Sequence, residues 1–434
     1  MAEVEILRVV RAPLNPHLFR GASIDLPTVG ERHNHYAFVV AGWILHRDTD
    51  ALDVEVSCEG RPLARWPASN ERRDVAASFP EAPVNVFCGF QGVVRTVDLP
   101  LRFELRLDVV GAINRVHLGT IQGQRTPLVA APAPGLRPAL IVTLGRTGST
   151  RLMQLLGQHP QALVHPPFPF ETRILGYWAS VFDGLASPKS YLQALARGDA
   201  QRYWWVGSTG LPAETYIDQD AVAQSLGGAS LESLAAFARG RVESSYRISA
   251  DLAGKSGTAA CFVEKQLPHA GIQTIEAGLF PERREIYLVR DWRDMLASIE
   301  ALNVKRRSTS FGRDVHDNEA EYLAAQAQAV RDLLRAWQQA GQDALLVRYE
   351  DLVTRPRRVV TNILRFLDID ASRSTIANMI VGAGRADIAA QHAHRTTIHA
   401  RNSIGRWKRD LPRATAEQAR VAFAEALEAW GYER

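Results

Sequence analysis

The sequence predicts an α/β domain, a mostly parallel sheet flanked by helices, preceded by a small all-β sandwich-like domain. Three observations carry this. From about His33 to Gln122 short alternating runs such as YAFVVAGWIL, LDVEVSCEG, RFELRLDVV and RVHLGTIQ follow one another with turn residues between them, the reading of an antiparallel sandwich or barrel. Beyond Pro138 apolar runs alternate with helical patterns. Between them QGQRTPLVAAPAPGLRP holds four prolines and two glycines and reads as a linker. The expected organisation is therefore 1–122, 123–138 and 139–434.

The bulk numbers agree. At 434 residues the chain is too long for one average core. Hydrophobic residues at 46% and charged ones at 23% describe an ordinary globular protein. A net charge of +4 and a pI of 9.0 are mild, and the runs Lys305-Arg306-Arg307 and Arg355-Pro356-Arg357-Arg358 read as solvated faces, so no nucleic-acid partner is expected. Cys58, Cys88 and Cys261 form neither a disulfide framework nor a zinc spacing, which suits a reducing compartment. MAEVEILRVV lacks the apolar core of a secretory signal, and the apolar stretch from Leu128 to Leu144 is broken by three prolines, a glycine and an arginine. A cytoplasmic protein without a transmembrane segment is expected.

In the β domain, Trp43 and Phe90 are expected in the core. In the α/β domain, strands are expected at Ala139 to Leu144, Cys261 to Val263, Glu285 to Val289 and Ala344 to Val347. Helices are expected at Arg151 to Gly157, Glu321 to Gln339 and Arg357 to Leu367, with a closing amphipathic helix from Thr415 to Trp430. Ligands of such a sheet sit at the carboxyl ends of its strands.

One strand end is distinctive. In ALIVTLGRTGSTRLMQLL, Ala139 to Leu156, an apolar strand runs through Gly145, Arg146, Thr147, Gly148, Ser149 and Thr150 into a helix. Such a turn gathers backbone N–H groups, hydroxyls and the positive end of a helix, an arrangement that holds phosphate or sulfate. The usual triphosphate loop, G-x-x-x-x-G-K-[ST], is longer and puts its lysine after the second glycine. Here Arg146 comes before it, which argues against an ordinary ATPase or kinase.

Arg146-Thr147-Gly148-Ser149-Thr150 resembles the 5′-phosphosulfate loop of the sulfotransferase family. A second match follows in EIYLVRDWRDMLASI, Glu285 to Ile299, where Arg290 and Ser298 have the spacing of the family's 3′-phosphate motif. VEKQLPH, LLVRYEDLVTRP and RNSIGRWKRDLP extend the resemblance toward the C-terminus. It implies a P-loop-like sulfotransferase fold and 3′-phosphoadenosine 5′-phosphosulfate (PAPS) as the sulfate donor, with no metal.

The resemblance also implies roles. Arg146 and its loop would hold the 5′ end of the donor, Arg290 and Ser298 its 3′-phosphate, and Tyr349 would lie near the adenine. Lys265, in VEKQLP, is similar to the family lysine that faces the sulfate, with Glu264 where Asp or Asn is usual. Glu171, in Glu171-Thr172-Arg173, resembles the glutamate base of the tyrosylprotein branch, and His165 is the alternative, as in the branch that uses histidine. Ser403 and Arg406, in Ser403-Ile404-Gly405-Arg406-Trp407-Lys408, resemble a late loop closing over the cofactor.

The acceptor is expected to be a hydroxyl compound: carbohydrate, glycolipid or small molecule. The carbohydrate lean comes from Trp178, Tyr203, Trp204, Trp205, Tyr216 and Tyr246, aromatics that stack on sugars or form the core of a helical lid. It comes also from the likeness of AGWIL, ERRDVAASFP and CGFQGVV to β accessory domains of bacterial glycan-modifying transferases. Packing or dimerisation is the competing role for that domain. His392, His394 and His399 have no accompanying carboxylate or cysteine set, so they read as incidental or near the acceptor, with metal binding not expected. A nucleotide-dependent kinase and an inactive glycan-binding scaffold remain the rival functions, and the oligomeric state is open.

Overall fold

The structure, a computed structural model, describes residues 4–33, 36–47, 52–79, 86–111, 114–129, 135–166, 168–186, 228–341, 344–385 and 394–433. The chain divides into two compact units, Met1–Ala131 with Ala179–Ala238, and Pro132–Trp178 with Arg239–Arg434.

The first unit holds β1 (Val4–Arg11), β2 (Phe19–Leu26), β3 (Arg32–His33), β4 (Ala37–His46), β5 (Asp53–Cys58), β6 (Arg61–Pro67), β7 (Asn70–Glu71), helix α1 (Arg73–Ala77), β8 (Phe87–Arg95), β9 (Arg102–Val110) and β10 (Arg115–Arg125). They form two antiparallel sheets, β3-β1-β10-β9-β5-β6 and β2-β4-β8-β7. One core takes Val54, Val56, Leu105 and Ile121 from the first sheet and Ile24, Phe38, Val40 and Phe90 from the second, so the expected sandwich is present. Trp43 departs from expectation. Alternation along β4 turns it away from this core, and it packs with Leu45, Val75, Phe79 and Cys88 in a smaller cluster.

The second unit holds β11 (Arg137–Val142), α2 (Ser149–Gly157), β12 (Ala162–Val164), β13 (Cys261–Gln266), α5 (Ala270–Leu279), β14 (Arg284–Val289), α6 (Trp292–Arg306), α7 (Glu319–Ala340), β15 (Ala344–Arg348), α8 (Tyr349–Thr354), α9 (Pro356–Phe366) and α10 (Arg373–Arg385). Helices α3 (Ile174–Ala186) and α4 (Gly228–Leu252) are each shared between the units by sequence. The C-terminus adds α11 (Trp407–Asp410), α12 (Arg413–Ala422) and α13 (Ala424–Ala429). The expected single closing helix is thus two, separated at Phe423.

The sheet is parallel throughout, in the order β12-β13-β11-β14-β15. Leu140, Ile141, Val263, Ile286 and Leu288 are all buried, as strands covered on both faces require. From β11 the chain travels toward β12, and from β14 it travels the other way to β15, so the strand order reverses between β11 and β14. A crevice opens at the carboxyl ends of strands at such a point. The loops after these two strands carry Arg146 and Arg290.

The C-terminal residues brace that platform. Trp430 packs against Trp292 with ring centroids 5.3 Å apart, and Arg293 donates to the Glu433 carbonyl at 2.7 Å. Glu350 accepts from the Asp291 N–H at 3.0 Å and from the Tyr432 hydroxyl at 2.7 Å, tying the start of α8 to the end of β14.

Candidate active site

The loop after β11 is fixed by its threonines. Thr143 Oγ1 donates to the Leu288 carbonyl at 2.6 Å, and Thr147 Oγ1, wholly buried, donates to the Leu144 carbonyl at 2.9 Å. Thr147 therefore holds the turn closed from beneath. Gly148 has φ +97°, and a Cβ there would lie 2.3 Å from the Tyr349 ring. It precedes α2, whose first turn has no capping side chain. Arg146, a non-glycine residue, takes φ +67°, a left-handed conformation that costs of order 1 kcal/mol and is held here by surrounding contacts.

These contacts define the site. Arg146 Nε donates to Ser298 Oγ at 3.2 Å and its Nη2 to the His394 carbonyl at 2.9 Å. Arg290 donates to the carbonyls of Arg146 and Ser403 at 2.9 and 2.6 Å, with its guanidinium 4.6 Å above the Tyr349 ring. The Tyr349 and Ser403 hydroxyls are 3.0 Å apart. Among the described residues neither arginine holds a carboxylate. Asp291 instead caps α6 and pairs with Arg293 at 2.8 Å, while Asp294 accepts from the Gly405 and Trp407 N–H groups at 2.7 and 2.9 Å. Burial pushes the Asp294 carboxyl up to about 6.

A cavity of about 570 Å³ opens over this junction. Arg146, Gly148, Ser149, Thr150, Arg290, Ser298, Tyr349 and Ser403, all expected from the sequence, line it. So do Arg151, Gln154, Phe168, His394, Arg395, His399 and Arg401, and no lining residue among those described is acidic. Arg290, 3% exposed, keeps a buried Nε without a partner among the described residues, as does Arg151. Burial, then the charges of Arg290, Arg306 and Arg406, pulls the Arg146 guanidinium down to about 10. A site that opposes its own positive charge while keeping donors unused is built for an anion.

The remaining expected residues lie outside the lining. Arg406 is spent on Asp410 and on Thr396 Oγ1, both at 2.7 Å, and so anchors the segment that runs over the cavity. Lys265, 4% exposed, donates to the Pro169 carbonyl at 2.8 Å and to Glu171 at 2.5 Å, and burial lowers its pKa. Glu171 also takes Arg173 at 3.3 Å. Glu264 points elsewhere: it is buried, accepts from the N–H groups of Ile174 and Leu175 at the start of α3, and is pushed up to about 8 by that burial. His165, just past β12, is half-buried and does not reach the cavity lining.

Arg151 and Arg401 line the cavity without having been singled out by the motifs; the sequence signal for them is their place directly after the phosphate loop and within RNSIGRW. His392 lies outside the described residues. Among the described residues no cluster of His, Cys, Asp or Glu could hold a metal ion, and no helix is long and apolar enough to cross a membrane.

Residues 138–373 match the model of a family described as the sulfotransferase family. The chain belongs to that family. Similar solved structures include the sulfotransferase domain of an olefin synthase from Synechococcus, 20% identical over 70% of this chain and 98% of that one, with a TM-score of 0.41. The sulfotransferase domain of the curacin biosynthetic pathway is 15% identical over 70% and 99%, TM-score 0.39. A mouse sulfotransferase complexed with PAP is 13% identical over 67% and 85%, TM-score 0.38. A search of curated proteins returned no match. The chain is a sulfotransferase by family, and its parallel sheet is the fold the sequence led us to expect.

Proposed function

We propose that this sulfotransferase binds PAPS in the arginine-lined cavity and transfers the sulfuryl group to an acceptor hydroxyl. The observation that carries the reading is the five arginines of the lining, Arg146, Arg151, Arg290, Arg395 and Arg401, with no carboxylate among the described lining residues. The residues fit such a ligand: the Nε atoms of Arg151 and Arg290 have no partner among the described residues, and Gly148 lets the Tyr349 ring pack directly against the loop that lines the cavity. PAPS supplies an activated sulfuryl group on a phosphate leaving group.

In this reading the N–H groups and hydroxyls of Gly148, Ser149 and Thr150, with the start of α2, hold the 5′ end. Arg146 neutralises charge there, and Arg290 with Ser298 grips the 3′-phosphate, a guanidinium fork matching two oxygens. Tyr349 and Ser403 hold Arg290 in place and border the adenine. Lys265, outside the lining and held by the Pro169 carbonyl and Glu171, adds positive charge to the field around the transferring group. Position and electrostatics dominate such a transfer.

The acceptor is a hydroxyl compound. A carbohydrate or glycolipid is the class the aromatic-rich stretch suggests, but Tyr203, Trp204, Trp205 and Tyr216 lie outside the described residues. Tyr246 is not available for it, being wholly buried and stacked on Phe262 at 3.9 Å. We read 1–122 as an accessory domain, its last strand running on to Arg125, 123–138 as the stretch that links it to β11, which starts at Arg137, and 139–434 as the transferase. The buried thiols Cys58, Cys88 and Cys261 suit a cytoplasmic setting.

Calorimetric titration with adenosine 3′,5′-bisphosphate, alongside ATP with magnesium, tests the reading. Binding of the bisphosphate without magnesium is expected; a response to magnesium-ATP alone would transfer the assignment to a kinase.

A further inference from the structure

The arginine cavity and the Lys265–Glu171 pair share one neighbour, His394. It lines the cavity, and its carbonyl accepts from Arg146 at 2.9 Å. Its ring stands edge-on to Phe168 with centroids 4.9 Å apart, and Arg306 of α6 approaches its two ring nitrogens at 3.3 and 3.4 Å. The charged groups facing it are Arg306, Arg146 from the loop after β11, Lys265 from β13, and Glu171 from the segment before α3. Three are cations, and only Glu171 opposes them.

Neither base offered by the sequence has this placement. Glu171 is taken by Lys265 at 2.5 Å and does not line the cavity, and His165 does not line it either. His399 lines it but is exposed to solvent. We propose that His394 takes the proton of the acceptor hydroxyl, and that it gains this capacity when the anionic groups of the donor occupy the arginines beside it. This rests on the reading of the cavity as the nucleotide site.

The physical basis is the charge balance. With no anion at Arg146 and Arg290, burial and then the Arg306, Arg146 and Lys265 charges hold the imidazole below its ordinary pKa, so it is neutral but a weak proton acceptor. Phosphate and sulfate groups on Arg146 and Arg290 cancel that repulsion and raise its proton affinity. In the transfer the acceptor oxygen bonds to sulfur, and the bond from sulfur to the 5′-phosphate oxygen breaks with its electron pair left on that oxygen. The acceptor proton moves to the unprotonated ring nitrogen of His394, which later returns it to water. No oxidation state changes.

The test is an NMR titration of histidine ring signals in the full chain, with His394→Gln assigning the resonance, with and without saturating adenosine 3′,5′-bisphosphate. The His394 pKa is expected below the ordinary histidine range without the nucleotide and higher by about one unit with it. Nucleotide binding that leaves this pKa unmoved would sink the inference alone, whereas failure of the bisphosphate to bind would sink the nucleotide reading with it. As a second readout, sulfate release from PAPS with water as acceptor should fall about a hundredfold in His394→Gln while bisphosphate affinity stays within about threefold. A wild-type rate and pH profile in that variant would also overturn it.

Discussion

Arginines are plentiful in both units of this protein, and those gathered at the cavity are treated differently from most of those in the sandwich. In the sandwich four are matched locally: Arg32 pairs with Glu5 at 2.8 Å, Arg61 with Asp98 at 2.9 Å, Arg65 with Asp53 at 2.7 Å and Arg106 with Asp108 at 2.8 Å, while Arg125 sits among carbonyls, donating to those of Leu99 and Thr126 at 2.9 and 3.1 Å. In the cavity, Arg146 and Arg290 have, among the described residues, carbonyls, a serine hydroxyl and the Tyr349 ring, although Asp291 and Asp294 lie close by in sequence and are hydrogen-bonded by other groups. A positive residue count therefore says little. What marks a site is several cations without carboxylate partners gathered around one cavity, because such a cluster stays folded at an electrostatic cost that a ligand anion offsets.

The sharpest way to break this contrast is to remove one member of each set. Arg290→Ala should weaken adenosine 3′,5′-bisphosphate binding about a hundredfold or more by calorimetry, the loss of a bidentate charge-assisted contact. Arg106→Ala in the sandwich should leave the affinity unaltered. Equal effects, or none from Arg290→Ala, would erase the distinction.

Glycines give a second version of the same comparison. Gly148 and Gly405 both have positive φ, +97° and +69°, but a Cβ at Gly148 meets the Tyr349 ring at 2.3 Å while at Gly405 it meets nothing within 4 Å. Gly148→Ala should lower bisphosphate affinity roughly tenfold by displacing the ring beneath Arg290, whereas Gly405→Ala carries backbone strain alone, about 1 kcal/mol. Melting curves and titrations of the two variants separate strain from steric displacement.

A smaller effect concerns buried carboxyls away from the cavity. Glu276 on α5 is 1% exposed, accepts from Gln266 at 3.0 Å through one oxygen, and is pushed up to about 8 by burial. A folded-state pKa above the unfolded one means the folded protein binds the extra proton, so this stability is complete below about pH 4.5 and is lost as pH rises through 8. Glu276→Gln should raise the melting temperature at pH 8.5 by about 2–5 °C and flatten its decline over that window. An unchanged slope would remove Glu276 as its source.

Much of this architecture could be read from sequence because its signals are local. The strand before Gly145 is an unbroken apolar run, and the turn residues that follow are adjacent in the chain, so the loop and its helix are visible together. Arg290 and Ser298 are likewise one strand end and one helix face. Trp43 lies outside the main core because burial on the two faces of β4 differs in depth, which alternation alone does not rank. The setting of His394 could not be read at all: its neighbours Arg146, Lys265 and Arg306 come from three distant elements that only the order of the sheet brings together. Arg406 and Ser403 share one motif, three positions apart, but are separated in use, one anchoring the segment to Asp410, the other carrying its carbonyl to Arg290.

The most direct measurement is a crystal structure with adenosine 3′,5′-bisphosphate soaked in. The account predicts one phosphate against Gly148, Ser149 and Thr150 with Arg146 turned from the His394 carbonyl onto it, and the other on Arg290 and Ser298. A nucleotide bound elsewhere, with both arginines keeping their present carbonyl partners, would contradict it.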